Sequence, residues 1–490
     1  MLRVWNKSIV VDLVREKLSD VCFIVVSNRQ PYIHRFVKGK IECIKGPGGV
    51  ITALDPVMRE LKGLWVCSGT GEADRMVAKD SKVKVPPENP SYVLKYVWLT
   101  KEENLGYYYG FSNQALWPLM HLVYVRPVIR EEDWIVYKEV NKKFAKAIYE
   151  EIKDKKAVVF VQDYHLALVS KYLKEIKPDV ITLLFWHIPW PTYDILRILP
   201  QKQELLEGLL SYDLLGFHIR YFCNNFLDGV INELESKINR ENFSAVFRGH
   251  TTLIRSYPIS VDFEGINTFA NTSSVEGAMK NLSEEFGLSD KKIIVGLDRI
   301  DYTKGIPERI LGIDKLFELH PELKEKIVFI QMGEISRIHL SQYKHLNDEI
   351  NALVEEVNFK HGHSLWKPII FVRRHLSFNE LLAFYRLADI CIITSLHDGM
   401  NLVAKEYISS RIDGRGVIVL SKFTGAARQL KHALLVNPYS QTDVANALYR
   451  ALFMSKDEIE QRMKKLRKSV QRNNIWQWVG NIISDVPKIE

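Results

Sequence analysis

A chain of 490 residues is too long for one ordinary hydrophobic core, and two large domains is the simplest division. Its 47% apolar and 26% charged residues describe a globular protein and exclude a disordered one. The net charge of +8 is modest for this length, and Lys and Arg interleave with Asp and Glu, which suits a small anionic substrate and argues against nucleic acid.

No apolar stretch approaches the roughly 18 residues that span a bilayer. The start, Met1-Leu2-Arg3-Val4-Trp5, has no secretory core, so the expectation is a cytoplasmic protein without a membrane partner. Cys22, Cys43, Cys67, Cys223 and Cys391 are odd in number, widely spaced and mostly set in apolar runs. They read as buried thiols in a reducing compartment, with no CxxC pair to suggest a metal. Composition leaves a homo-oligomer open.

Short β-branched runs alternate with stretches of helical period, the pattern of a mostly parallel sheet with crossover helices. The first predicted strand, 22–27, ends at Ser27-Asn28-Arg29, where an Arg at the carboxyl end points at a ligand. Gly46-Pro47-Gly48-Gly49-Val50 opens a predicted helix, and Gly48 and Gly49 let the backbone approach a ligand closely. Further strands are expected at 64–68, at 158–162 before Asp163-Tyr164-His165, at 181–186 before His187, and at 214–218. Asp163 and His187 at adjacent strand ends form a pair suited to sugar hydroxyls.

Near Tyr257-Pro258 the list divides, giving an expected first domain over 1–257 and a second over 258–470, with a helix in 471–490 packing back on the first. Second-half strands are expected at 292–297, 327–332, 369–372, 390–394 and 416–420. The strand 292–297 is followed by Asp298-Arg299 and by Lys304-Gly305 before a helix near Pro307, which presents cations and N–H groups to phosphate oxygens. Ser377 and Glu380 have the spacing of a capping box, which predicts a helix over 378–387. After 390–394, Asp398-Gly399-Met400-Asn401-Leu402-Val403-Ala404-Lys405-Glu406 reads as a Gly turn and a helix start, with Glu406 placed to accept the hydroxyls of a nucleotide ribose. The basic stretch 462–468 reads as the solvated face of a helix.

In order along the chain, Ser27-Asn28-Arg29, Phe111-Ser112-Asn113, Leu116-Trp117-Pro118, Asp163-Tyr164-His165, His187-Ile188-Pro189, Tyr212-Asp213-Leu214-Leu215-Gly216-Phe217, Asp301-Tyr302 with Lys304-Gly305, and Asp398 through Glu406 resemble the motifs of the trehalose-6-phosphate synthase family. The resemblance implies an α/β fold of GT-B type, two doubly wound Rossmann-like domains facing each other across a cleft. It implies a retaining transferase that moves glucose from a nucleotide-glucose donor, UDP-glucose foremost, to glucose 6-phosphate. The partners are then a nucleotide-sugar donor and a phosphorylated sugar acceptor, with no cofactor; the family also contains enzymes that use glycerol 3-phosphate.

Residue by residue, the resemblance assigns the donor diphosphate to Arg299 and Lys304 and the ribose to Glu406. It lays the Gly48-Gly49 loop over the phosphates and adds Asn401, Leu402 and Val403 to the donor site. Asp163, His187 and Asp398 hold sugar hydroxyls, and Arg29, Tyr108, Trp117 and Arg337 surround the acceptor, with Arg29 and Arg337 on its phosphate. No protein nucleophile is implied, because the departing phosphate oxygen acts as base. Gln30, His397 and the segment Ser68 to Arg75 depart from the family pattern, mostly in the acceptor half. No Asp-x-Asp pair stands at a suitable strand end, so no obligatory metal is expected. A sugar-nucleotide epimerase on the same fold needs no second phosphate site, which the pair Arg29 and Arg337 argues against.

Overall fold

The computed structural model describes residues 5–18, 21–46, 49–334, 337 and 340–486. The chain forms two compact units, Met1–Ile259 with Ile475–Glu490, and Ser260–Asn474.

Among the described residues the first unit is built on a ten-stranded sheet. Its spatial order is Lys237–Asn239, Ser244–Phe247, His250–Ser256, Leu214–Phe217, Ile181–Phe185, Ala157–Gln162, Cys22–Ser27, Leu64–Ser68, Tyr92–Val97 and Lys82–Val85. From His250–Ser256 to Tyr92–Val97 the pairing is parallel, with antiparallel strands at both edges. Ala157–Gln162 is buried at every residue, as a central parallel strand covered on both faces by helices must be. The helix Ile475–Asp485 closes one face, with the Trp478 ring 5.1 Å from Phe185 and 5.9 Å from Phe160. The Tyr257 hydroxyl ties that helix down by donating to Asp485 Oδ2 at 2.6 Å.

The sequence reading passes over several of these strands. After Gln30, Tyr32–Val37 and Lys40–Lys45 form a separate two-stranded hairpin. Its turn, Lys38 and Gly39, has φ of 49° and 78°, the double left-handed geometry that suits a two-residue hairpin.

In the second unit the described residues form a six-stranded, wholly parallel sheet in the order Ile369–Val372, Ile327–Glu334, Lys292–Arg299, Ile390–Ile393, Val417–Ser421 and Leu434–Val436. The ends of the five expected strands agree with the sequence reading within two residues, and the edge strand Leu434–Val436 is not among them. The main difference is that Asp298 and Arg299 continue the strand, because both pair in register with Gly333 and Glu334. The capping box is present, with Ser377 Oγ accepting from Glu380 N at 3.3 Å and Glu380 Oε2 accepting from Ser377 N at 2.9 Å. The helix Lys456–Arg472 buries Met463, Leu466 and Val470 and turns its lysines to water, as a solvated basic face does.

Both sheets start in the middle. In the first unit the earliest strand, Cys22–Ser27, lies between Leu64–Ser68 and Ala157–Gln162, parallel to both, and the chain adds strands outward from it on both sides. In the second, Lys292–Arg299 and Ile390–Ile393 stand in the same relation. Ligands of open α/β sheets bind beyond the carboxyl ends of the strands at such a reversal. Two positions are thereby singled out by topology alone.

Candidate functional site

In the second unit, the segment after Lys292–Arg299 turns sharply. Asp301 Oδ1 accepts from Thr303 N at 3.0 Å and Thr303 Oγ1 at 2.9 Å, closing the turn that carries Lys304. Gly305 follows at φ 60°, where a Cβ would collide with the Thr394 carbonyl, so only glycine fits before the helix Ile306–Leu319 with Pro307 in its first turn. Behind the turn, the fully buried Arg309 joins the two central strands. Its Nη2 donates to Asp298 Oδ2 at 2.6 Å, Nε to Thr394 Oγ1 and Nη1 to Gln331 Oε1, both at 2.9 Å.

Lys304 and Asp398 meet at this reversal, Nζ to Oδ2 at 2.6 Å. Burial works against the ammonium, but Asp398 and Asp298 hold it charged, above its ordinary range. Arg299, half-buried at the strand end, forms no ion pair among the described residues. Lys304 is thus paired directly with a carboxylate, whereas Arg299 acts on Asp301 only through its field.

The strand Ile390–Ile393 leads through Asp398 to Asn401, which sits at φ 83° and caps the helix Leu402–Ser410 by accepting from Ala404 N at 3.0 Å. Asn401 Nδ2 also donates to Asp398 Oδ2 at 3.3 Å. Leu402 and Val403 form the first turn of that helix, whose N–H groups have no intrahelical acceptor by geometry. Glu406 lies one turn further, its Oε2 accepting from the buried Tyr385 hydroxyl at 3.1 Å. Burial pushes the Glu406 carboxyl up, and Tyr385 offsets only part of that.

Arg337 has φ 52° and donates through Nη1 to the Tyr343 hydroxyl at 2.6 Å, with Asp301 Oδ2 3.6 Å away. It therefore lies in the same polar network as the Lys304 turn.

In the first unit Arg29 is exposed directly after its strand, and its Nη2 donates to the Tyr108 hydroxyl at 3.0 Å. Tyr108 belongs to the π-helical segment Leu105–Leu116 and stacks on His165 at 5.5 Å, with 13° between planes. Trp117 begins the next helix, buried against His121 at 4.1 Å and Tyr164 at 6.0 Å. At the adjacent strand end Asp163 adopts φ 73° and ψ 167°, and its Oδ1 accepts from His187 N at 3.1 Å. The His187 ring bonds Gln162 Oε1 through Nε2 at 2.9 Å. Burial, with help from His218 and His165, holds that imidazole neutral, well below its ordinary value.

Gly48 lies outside the described residues; Gly49 opens the helix Gly49–Leu61. Gln30 is 1% exposed and packs into a polar cluster, accepting from Thr70 N at 2.9 Å and donating to Asp74, which also accepts from Gly71 N at 2.6 Å. Two departures from the family pattern, Gln30 and the segment after Ser68, are therefore one internal network.

The two strand-end groups are Arg29, Tyr108, Trp117, Asp163 and His187 in one unit, and Arg299, Lys304, Arg337, Asp398, Asn401, Leu402, Val403 and Glu406 in the other. Sequence reasoning gives no role to Gln162, Asp301, Arg309, Tyr343 or Tyr385, which hold these side chains in place. Asp301 falls within a quoted motif, but the partners of the others lie up to 85 residues away in the chain, as with Arg309 and Thr394, so no local pattern marks them. Among the described residues no group of three or more His, Cys, Asp or Glu is placed to hold a metal ion, and no helix is long and apolar enough to cross a membrane.

Comparison with known proteins adds names to this geometry. The family described as glycosyltransferase family 20 matches residues 22–488. A trehalose-6-phosphate synthase of Mycobacterium marinum is 34% identical over 477 residues, covering 96% of this chain and 94% of the relative. An E. coli structure bound with UDP-2-fluoro glucose aligns with TM-score 0.84 at 30% identity, over 95% of this chain and 98% of that one. An alpha,alpha-trehalose-phosphate synthase (UDP-forming) of Burkholderia xenovorans in complex with glucose-6-phosphate aligns with TM-score 0.86 at 28% identity, over 95% and 99%.

Proposed function

The chain belongs to glycosyltransferase family 20, and from that premise and the two strand-end groups we infer that it transfers glucose, with retention, from UDP-glucose to glucose 6-phosphate, forming α,α-trehalose 6-phosphate. Its fold is the GT-B type of the aligned structures. The observation that carries the donor half is the cation pair at the reversal of the second sheet, Arg299 at the strand end and Lys304 held by Asp398. Diphosphate departure develops negative charge there, and preorganised cations that need not reorient stabilise it more than water does.

We assign the second unit to the donor. Arg299 and Lys304 take the diphosphate, the first-turn N–H groups of Leu402 and Val403 with the cap Asn401 face it, and Glu406 takes the ribose. Gly48 and Gly49 are assigned to the donor phosphates. The first unit is assigned to the acceptor: Arg29 and Tyr108 bind its phosphate end and Trp117 its ring side, with Arg337 as a second phosphate contact. Asp163, neutral His187 and Asp398 accept from or donate to sugar hydroxyls. None is placed as a nucleophile, and the departing phosphate oxygen takes the acceptor proton as the new bond forms on the same face. Five unpaired cysteines support a reducing, cytoplasmic setting.

The test is incubation with UDP-glucose, other nucleotide-glucose donors, and an acceptor panel of glucose 6-phosphate, glucose and glycerol 3-phosphate, with products identified by mass spectrometry. Absence of trehalose 6-phosphate with every donor would overturn the reading. The same reaction run with and without a chelator should give equal rates; loss restored by a divalent ion would contradict the metal-independent assignment.

A further inference from the structure

Resting on the assignment of Arg337 to the acceptor phosphate, we propose that Asp301 is the positioning residue that orients Arg337, and that it thereby sets the preference for a phosphorylated acceptor. Asp301 is fully buried, and its two oxygens serve two structures. Oδ1 closes the Lys304 turn through Thr303 N and Oγ1, at 3.0 and 2.9 Å. Oδ2 accepts from the Tyr343 hydroxyl at 3.1 Å and stands 3.6 Å from Arg337 Nη1, which itself donates to that hydroxyl at 2.6 Å.

Carboxylate, phenol and guanidinium thus form a closed triangle. A guanidinium is planar with five donors in a rigid fork, so holding one nitrogen restricts the directions of the others together. Tyr343 is a firm anchor: it is 2% exposed on the helix Ser341–His361 and lies 5.3 Å from the Tyr302 ring. Arg337 needs such an anchor because its backbone, at φ 52°, is in a region that side-chain-bearing residues rarely occupy.

Charge makes the role separable from mere packing. Burial opposes ionisation of Asp301, yet Arg337, Arg299 and Lys304 around it keep it charged. Neutralising one carboxylate among three cations leaves the local potential more positive, which does not weaken binding of a diphosphate. It does release the guanidinium from its charged partner. The signature is therefore a split: poorer use of the acceptor with unimpaired use of the donor.

Asp301→Asn retains an Oδ1 acceptor for Thr303, so the Lys304 turn persists. We expect the KM for glucose 6-phosphate to rise at least tenfold, the preference for glucose 6-phosphate over glucose to fall by the same factor, and the KM for UDP-glucose and the kcat to stay within threefold. Tyr343→Phe, which removes only the bridging hydroxyl, should shift the acceptor KM about threefold in the same direction. It carries the test alone if Asp301→Asn does not fold. Both KM values rising together, or neither moving, would overturn the proposal. Arg337→Ala separates this failure from that of the underlying assignment. An unchanged acceptor KM in Arg337→Ala removes the assignment itself, whereas a raised one beside an unaffected Asp301→Asn removes only the role of Asp301.

Discussion

Replacing Lys304 by Ala probes the donor half with two separable readouts. The ammonium lies 2.6 Å from Asp398 Oδ2, and both side chains are 14% exposed, so the pair is shielded from bulk screening. Removing a preorganised group aimed at developing charge costs about 2.7–4 kcal/mol of transition-state stabilisation, a fall of about 10²–10³ in kcat. Breaking a buried ion pair costs about 3–5 kcal/mol of stability when the surviving charge is stranded. Asp398 is not stranded, since Ser395 Oγ and Asn401 Nδ2 each remain 3.3 Å from the same oxygen. The folding cost should then approach that of one charged hydrogen bond, about 1.5–3 kcal/mol. For a unit of this size that lowers Tm by about 3–12 °C. Initial rates of UDP release at saturating substrates, beside calorimetric unfolding, measure both. A Tm lowered by this amount with kcat within threefold of the parent would refute the donor role and leave Lys304 as a structural ion pair.

Arg29→Ala removes an exposed side chain that among the described residues bonds only Tyr108, so stability should change by no more than about 0.5 kcal/mol. The KM for glucose 6-phosphate should rise at least tenfold, and an unchanged KM would remove Arg29 from the acceptor site. Glu406→Gln should act oppositely on stability and function. Because burial raises the folded carboxyl above its unfolded value of about 4.3, the wild type loses stability as pH climbs from there through the raised value. The Gln variant should therefore melt higher at pH 7 while its KM for UDP-glucose rises; equal melting temperatures at pH 7 would show that the carboxyl is not destabilised. His187 has the reverse linkage. Its folded value is depressed, so the stability it contributes is complete above about 6.5 and is lost as pH falls below. His187→Gln should flatten the decline of Tm between pH 6.5 and 5, and an unaltered decline would assign it to other groups.

The parallel strands that carry the site were legible because they are buried on both faces and read as unbroken apolar runs, as in Ala157–Gln162 and Ile390–Ile393. Tyr92–Val97, one strand in from the edge, is nearly as buried but contains Lys95, whose ammonium is neutralised by Glu150 and Glu151 at 3.1 and 2.7 Å. A charged residue in a core strand hides that strand from any pattern of hydrophobicity. The edge strands from Lys237 to Ser256 and the hairpin Tyr32–Lys45 are half-exposed and polar, so their sequence resembles loop. In the site, most of the residues assigned to ligands lie in short motifs just past strand ends, as Arg29, Asp163 and Lys304 do. Those that hold them do not: Arg309 reads as a surface Arg on a helix, and its full burial follows only from partners on three other segments.

Backbone strain marks the same places without reference to any motif. Asp163, at φ 73° and ψ 167°, occupies a region essentially reserved for glycine, and Asn401 at φ 83° and ψ 97° is hardly better placed. Such conformations cost about 1–3 kcal/mol each, and a glycine would relieve them. Glycine, however, has no side chain to accept from His187 N, as Asp163 does, or from Ala404 N and to donate to Asp398, as Asn401 does. Each strained residue sits beyond a strand bordering the central reversal of its own sheet, Ala157–Gln162 in one unit and Ile390–Ile393 in the other. Two independent sheets thus retain a costly non-glycine residue next to the position where topology alone places a ligand. The bonds these side chains make hold His187 and Asp398, two of the residues assigned to sugar hydroxyls. The polar side chains retained there explain the coincidence if both ends bind sugar or phosphate oxygens.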